Sequence, residues 1–216
     1  MPDDVAIEGL ADSDVDQLAS LWKALLDHIA ALPGAVVPVR PFEQSWPLER
    51  ARLLESLAGA AFALTARRAG KILGYALVNV EGPDPVWYTG YRKATLEHLS
   101  VAAGERGLGI GSALMDAVDA ELERRGVEDM EIGVDAANRD ALRFYERRGY
   151  RPDYLVCYGS PGGKPWACLR REEVDRRAGR GRYVPPGLAP SNPAVQSQPS
   201  PSRARLRPAP PARETP

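Results

Sequence analysis

Three glycines alternate with apolar residues in Arg106-Gly107-Leu108-Gly109-Ile110-Gly111, at the start of a stretch in which Ile110, Leu114, Val118 and Leu122 recur every fourth residue. That spacing predicts a helix. Glycines ahead of a helix let the backbone approach an anion held by unpaired first-turn N–H groups and by the positive end of the helix dipole. Arg106 adds a cation at the rim, so the segment has the chemistry of a phosphate or pyrophosphate cradle. Two common cradles do not fit. The nucleotide P-loop ends in Gly-Lys-Ser/Thr, whereas Gly111 is followed by Ser112-Ala113. The dinucleotide fingerprint, counted from Gly107, requires glycine where Ser112 stands. On the glycines alone, a tight strand-to-helix turn explains the pattern equally well.

Just upstream, Glu97 interrupts an apolar strand, where a carboxylate can take a proton directly or through a water. By strict alternation Glu97, Leu99 and Val101 share one face and His98 and Ser100 the other, which leaves open whether Glu97 or His98 reaches a cleft. Glu97 reads equally as a solvated or ion-paired strand residue. His98 has a suitable ordinary pKa of about 6.5 but reads as structural. Cys157 and Cys168 have no neighbouring partner for nucleophilic catalysis and no metal-ligand spacing, so neither a covalent intermediate on cysteine nor a metal site is expected.

These residues need elements to hold them. Val5 to Leu10 reads as a strand, and Val15, Leu18, Leu21, Trp22, Leu25, Leu26 and Ile29 as one helix entered from Asp12-Ser13-Asp14. Gly34 to Trp46 reads as a loop, with Pro47 opening a second helix. Ala60 to Ala66 and Lys71 to Val80 read as an antiparallel hairpin turning at Arg67 to Gly70. From Thr95 the order is strand, helix, strand (Met130 to Val134), helix (Asn138 to Arg148), strand (Tyr150 to Tyr158). This order implies a mixed α/β sheet, antiparallel first and parallel at its centre.

The chain has 216 residues, enough for one ordinary domain, and 44% hydrophobic residues, enough for a core. From Arg176 onward there are eight arginines, no lysine and one acid, Glu214, which leaves 20 basic and 28 acidic residues before it. An acidic body favours cationic acceptors over nucleic acid. The expected division is residues 1–173 as a folded domain and 174–216 as a disordered Arg/Pro/Ser-rich tail. Few cysteines, an acidic start without an apolar leader and no long apolar run predict a cytoplasmic protein with no membrane partner.

The glycine loop matches the Gln/Arg-x-x-Gly-x-Gly/Ala signature of the GNAT superfamily of N-acetyltransferases. Asn138-Arg139-Asp140-Ala141-Leu142-Arg143-Phe144-Tyr145-Glu146-Arg147-Arg148-Gly149-Tyr150 resembles that family's Asn-x-x-Ala-x-x-Phe-Tyr-x-x-x-Gly-Phe segment. Two motifs in the right order on the right elements are far more specific than either alone. The resemblance implies the GNAT fold, an α/β (α+β) mixed sheet of about six to seven strands flanked by about four helices and splayed between the fourth and fifth strands.

The resemblance further implies acetyl-CoA as cosubstrate, its pyrophosphate on backbone N–H groups around Leu108, Gly109, Gly111 and Ser112. Backbone groups of Leu99 and Val101 would meet pantetheine and the acyl carbonyl, and Asn138 would bond the pantetheine arm or cap its helix. Tyr145 matches the tyrosine that in many relatives protonates the leaving thiolate, and Leu96-Glu97 resembles the polyamine-acetylating branch. The acceptor would be a small-molecule amine or a protein amino group, walled by aromatics such as Trp22, Trp46, Trp87, Tyr88 and Tyr91, with His28 and Tyr154 to Tyr158 nearby. A homodimer is left open. The competing expectations are a catalytically silent CoA-binding regulatory or scaffold module and a nucleic-acid binder acting through the arginine tail.

Overall fold

β3 (Lys71–Glu81) is buried along nearly its whole length, as a strand covered on both faces must be. A computed structural model describes residues 2, 4–33, 38–83 and 91–153. Five strands lie side by side in chain order: β1 (Ala6–Gly9), β2 (Phe62–Arg68), β3, β4 (Lys93–Val101) and β5 (Asp129–Ile132). All neighbours are antiparallel except β4 and β5, which are parallel and joined through α3 (Ile110–Arg124). A mixed sheet is therefore present, as the sequence implied, with five strands among the described residues rather than six or seven. Tyr150 to Asp153 form no strand, and the remainder of that expected strand lies outside the described residues, as does the 173/174 boundary.

Helices cover both faces. On one side Ile110, Leu114, Met115, Val118 and Leu122 of α3 meet Phe62, Leu73, Val78 and Leu96 of the sheet. On the other side Val15, Leu18 and Leu21 meet Tyr75, Leu77 and Ile72, together with Leu53 from α2 (Phe42–Leu57). Each fully buried aliphatic side chain of these sets contributes about 1.5–3 kcal/mol relative to exposure. α4 (Arg139–Arg147) adds Phe144 and Tyr145 to the α3 side. Among the described residues no helix is long and apolar enough to cross a membrane.

Two local expectations change. The first helical stretch is a 3-10 segment, Asp12–Leu18, running into α1 (Ala19–Ala30). The second helix begins at Phe42, not Pro47, because the Pro41 carbonyl accepts the N–H groups of Gln44 and Ser45. Pro47 sits inside the second turn, where it forfeits the single backbone bond its missing N–H would make to Glu43. The β2–β3 hairpin turns on Ala69 and Gly70, both at positive φ (47° and 79°), the geometry of a two-residue type I′ turn.

Candidate active site

Gly107 and Gly109 have φ of 79° and 83°, a region that other L-residues enter only with strain, and Gly109 is the N-cap of α3. No side chain caps this helix. The first α3 bond that closes from the N-cap is Ala113 N–H to the Gly109 carbonyl at 3.0 Å, so helix geometry leaves the N–H groups of Ile110, Gly111 and Ser112 without intrahelical acceptors. Gly111 needs no glycine on packing grounds: a Cβ there would lie 3.8 Å from Val101 Cγ2 and 3.9 Å from Phe144 Cζ, ordinary contacts. Leu108 is exposed. Arg106 Nε donates to the Val101 carbonyl at 3.0 Å, which fixes the rim cation against the end of β4.

β4 and β5 pair only from Lys93↔Asp129 to Leu96↔Ile132 and then part. Beyond that point β4 still pairs with β3, through Val101. The Ala102 N–H donates to the Leu73 carbonyl at 2.8 Å. Backbone polar groups alternate in direction along a strand, so those of Leu99 and Val101 point away from β3, into the opening left by β5. The expected splay between the fourth and fifth strands is present, directly beside the uncapped helix terminus.

α4 approaches this region. Asn138 Oδ1 accepts the Ala141 N–H at 3.2 Å, so the capping role expected of Asn138 is met. Tyr145 packs edge-on against Phe144 and Tyr150, with ring centroids 5.2 and 6.0 Å away. Burial, and secondarily the Tyr150 phenol, pushes the Tyr145 pKa up to about 12, so the hydroxyl stays protonated near neutral pH. It makes no hydrogen bond to a described residue.

Around Glu97 the sequence parity fails. β3 and β4 register as Leu77↔His98 and then Val78↔Leu96, which leaves Glu97 as the extra residue of a β-bulge. The bulge resets the alternation. Ala94, Leu96, Leu99 and Val101 all lie against the α3-side core, while Glu97 and His98 both turn to Arg52 on α2. The choice between Glu97 and His98 posed by alternation thus disappears, since one face carries both.

Arg52 NH1 donates to Glu97 Oε2 at 3.1 Å, and its Nε and NH2 reach the two oxygens of Glu49, each at 3.2 Å. Burial alone would lower the Arg52 pKa, but the Glu49 and Glu97 carboxylates outweigh it and hold the guanidinium charged. Glu49 is only 8% exposed, so Arg52 compensates a carboxylate that could not otherwise sit there. Arg52 NH2 also lies 3.2 Å from His98 Nε2, and the Tyr75 hydroxyl 3.3 Å from His98 Nδ1. A guanidinium only donates, so His98 Nε2 accepts and Nδ1 carries the proton. Burial, with Arg52 second, lowers the His98 pKa to about 3; this neutral, fully engaged imidazole is structural, as expected, and no base for catalysis near pH 7.

Trp22 packs against His98 at 4.7 Å and donates from Nε1 to Ser45 Oγ at 3.2 Å, while Trp46 borders the same core. Tyr91 is almost wholly exposed. Trp87, Tyr88, Tyr154 to Tyr158, Cys157 and Cys168 lie outside the described residues. The sequence did not single out Arg52 or Glu49: a Glu/Arg pair three apart on a helix reads as a solvated pair, and only the burial of Glu49 shows otherwise.

A splayed mixed sheet beside a glycine-built helix N-terminus is the arrangement that the resemblance to acyl-CoA-dependent acyltransferases implies, and comparison with known proteins identifies the family. Residues 22–150 match the model of the Acetyltransferase (GNAT) family, and the chain belongs to that family. It is 34% identical over 142 residues to an uncharacterized N-acetyltransferase of Mycobacterium tuberculosis, covering 64% of this chain and 84% of that one. A mycothiol acetyltransferase of Propionibacterium freudenreichii is 27% identical over 153 residues, of which this chain spans 44% of the length. The structure of a ribosomal-protein-alanine N-acetyltransferase from Brucella melitensis superposes with a TM-score of 0.54 at 27% identity, over 72% of this chain and 99% of that one. The protein is an acetyltransferase of the family that uses acetyl-CoA as donor.

Proposed function

We propose that the protein moves the acetyl group of acetyl-CoA to a primary amine by direct attack within a ternary complex. The observation that carries this is the parting of β4 and β5 after Leu96↔Ile132, beside the free N–H groups at the start of α3. Those N–H groups, of Ile110, Gly111 and Ser112, together with those of Leu108 and Gly109 in the loop before them, suit a pyrophosphate, with Arg106 at the rim. Backbone groups of Leu99 and Val101 face the opening and suit the pantetheine amides and the thioester carbonyl. The Asn138 amide nitrogen makes no hydrogen bond among the described residues and would serve the same arm while its oxygen caps α4.

Glu97 stands one residue past the last β4–β5 pair, at the vertex where an acceptor would meet the acetyl group. Its role is to accept the proton the amine must lose, directly or through a water. The amine attacks the thioester carbon, the carbon–sulfur bond breaks, and the Tyr145 hydroxyl protonates the departing thiolate. Holding both substrates in one opening supplies much of the acceleration. The acceptor class is a small-molecule amine or a protein amino group, in keeping with relatives named for mycothiol and for a ribosomal-protein alanine. The test is thiol release from acetyl-CoA by the full chain with spermidine, lysine, kanamycin and an alanine-leading tripeptide. Amine-dependent release supports the proposal; acetyl-CoA binding without release from any amine points to a silent CoA-binding module.

A further inference from the structure

Glu97 occupies the extra position of a bulge that turns its side chain to the α2 face beside His98, and its carboxylate is held there by a contact. That contact is Arg52. We propose that Arg52, itself fixed by Glu49, is a positioning residue for Glu97: it commits one carboxylate oxygen and leaves the other for the acceptor amine. The inference rests on the assignment of Glu97 as the proton-accepting carboxylate.

The hydrogen bonds support a positioning device rather than a chance surface pair. Arg52 spends Nε and NH2 on Glu49, NH1 on Glu97 Oε2, and approaches His98 Nε2 with NH2. A planar guanidinium fixes two carboxylates in set directions, which the point charge of a lysine ammonium does not. Glu49 sits one helical turn before Arg52 on α2 and is buried, so the guanidinium is anchored from behind before it reaches the sheet. Glu97 Oε1 makes no hydrogen bond among the described residues and is the oxygen left for substrate. Among the described residues, the groups facing Glu97 and Arg52 also leave a charge excess. Two carboxylates oppose one guanidinium, and burial keeps the neighbouring His98 neutral, so the cluster remains negative toward an approaching ammonium.

The experiment is a kinetic cycle on the full chain: Arg52→Ala, Glu97→Gln and the double variant. Thiol release is measured with acetyl-CoA and whichever of spermidine, lysine, kanamycin and the alanine-leading tripeptide the wild type acetylates fastest. Arg52→Ala is expected to lower kcat about 10- to 100-fold, as a misaimed catalytic group does, with the KM for acetyl-CoA within about two-fold. Arg52→Lys should recover part of the loss. Combined with Glu97→Gln, Arg52→Ala should add little further loss, since it acts through that carboxylate. Because Arg52→Ala strands the buried Glu49, Glu49→Gln/Arg52→Met is measured beside it, with thermal melts of each variant. It removes both charges and should show the same kcat defect in a folded protein. Losses that multiply independently in the Arg52/Glu97 double variant, or wild-type kcat in a folded Arg52 variant, overturn the inference. Wild-type turnover in Glu97→Gln instead overturns the assignment of Glu97, and no acetylation of any amine by the wild type overturns both.

Discussion

Replacing Tyr145 by Phe removes one oxygen and keeps the ring. The ring packs edge-on against Phe144 and Tyr150 and borders the α3-side core, contacts that Phe retains. The hydroxyl makes no hydrogen bond to a described residue, so the substitution forfeits no bond among them, and the change in unfolding free energy should stay below about 1 kcal/mol. The phenol pKa, raised to about 12 by burial, keeps the donor proton in place at working pH. If that proton goes to the departing thiolate, its loss should lower kcat by about 100-fold or more, roughly 2.7 kcal/mol in the barrier. The KM for acetyl-CoA should remain within about two-fold, because the interaction exists only in the transition state. Steady-state thiol release with acetyl-CoA varied, alongside a thermal melt, reads both quantities. Wild-type kcat in a folded Tyr145→Phe protein would remove the hydroxyl from the mechanism; an equal loss in melting temperature and activity would make it a packing residue.

Other perturbations follow from the same geometry. Burial, with Arg52 second, holds the His98 pKa down at about 3 in the folded chain against about 6.5 unfolded, so between these values the unfolded state binds the extra proton and stability falls as pH falls, by about 2 kcal/mol at pH 5. Denaturant titrations of wild type and His98→Gln from pH 7 to pH 4.5 should show a shallower acid loss in the variant, and parallel pH slopes would contradict this. Gly109→Ala places a Cβ at φ 83° and should cost about 1–2 kcal/mol of stability together with acetyl-CoA affinity. Gly111→Ala, whose Cβ meets only ordinary contacts in a helix, should leave the melting temperature unchanged or raise it. Calorimetry and melts on the pair compare the two positions, and equal destabilisation would refute the distinction.

The strand–helix–strand–helix unit that builds the site was legible from Thr95 to Arg148 because its signals are local. Ile110, Leu114, Val118 and Leu122 share a helix face, Gly109 closes the loop, and Asn138 caps the next helix. What the sequence concealed depends on partners far away in the chain. The bulge at Glu97 had a faint trace: apolar positions step by two from Ala94 to Leu96, then by three to Leu99. Strict alternation ignores that step, and only the register with β3 gives it meaning. The anchoring of Glu97 was less visible still, since Arg52 lies 45 residues earlier and its partner Glu49 looks solvated until α2 docks. The start of α2 was misplaced because proline was read as the first helical residue, whereas Pro41 supplies the capping carbonyl and Pro47 is carried inside.

In the proposed function, the glycine loop before α3 and the opening between β4 and β5 together hold acetyl-CoA. Calorimetric titration of the full chain with acetyl-CoA tests it most directly. Saturable binding to one site, weakened in Gly109→Ala, is the predicted result; no binding by the folded wild type would contradict it.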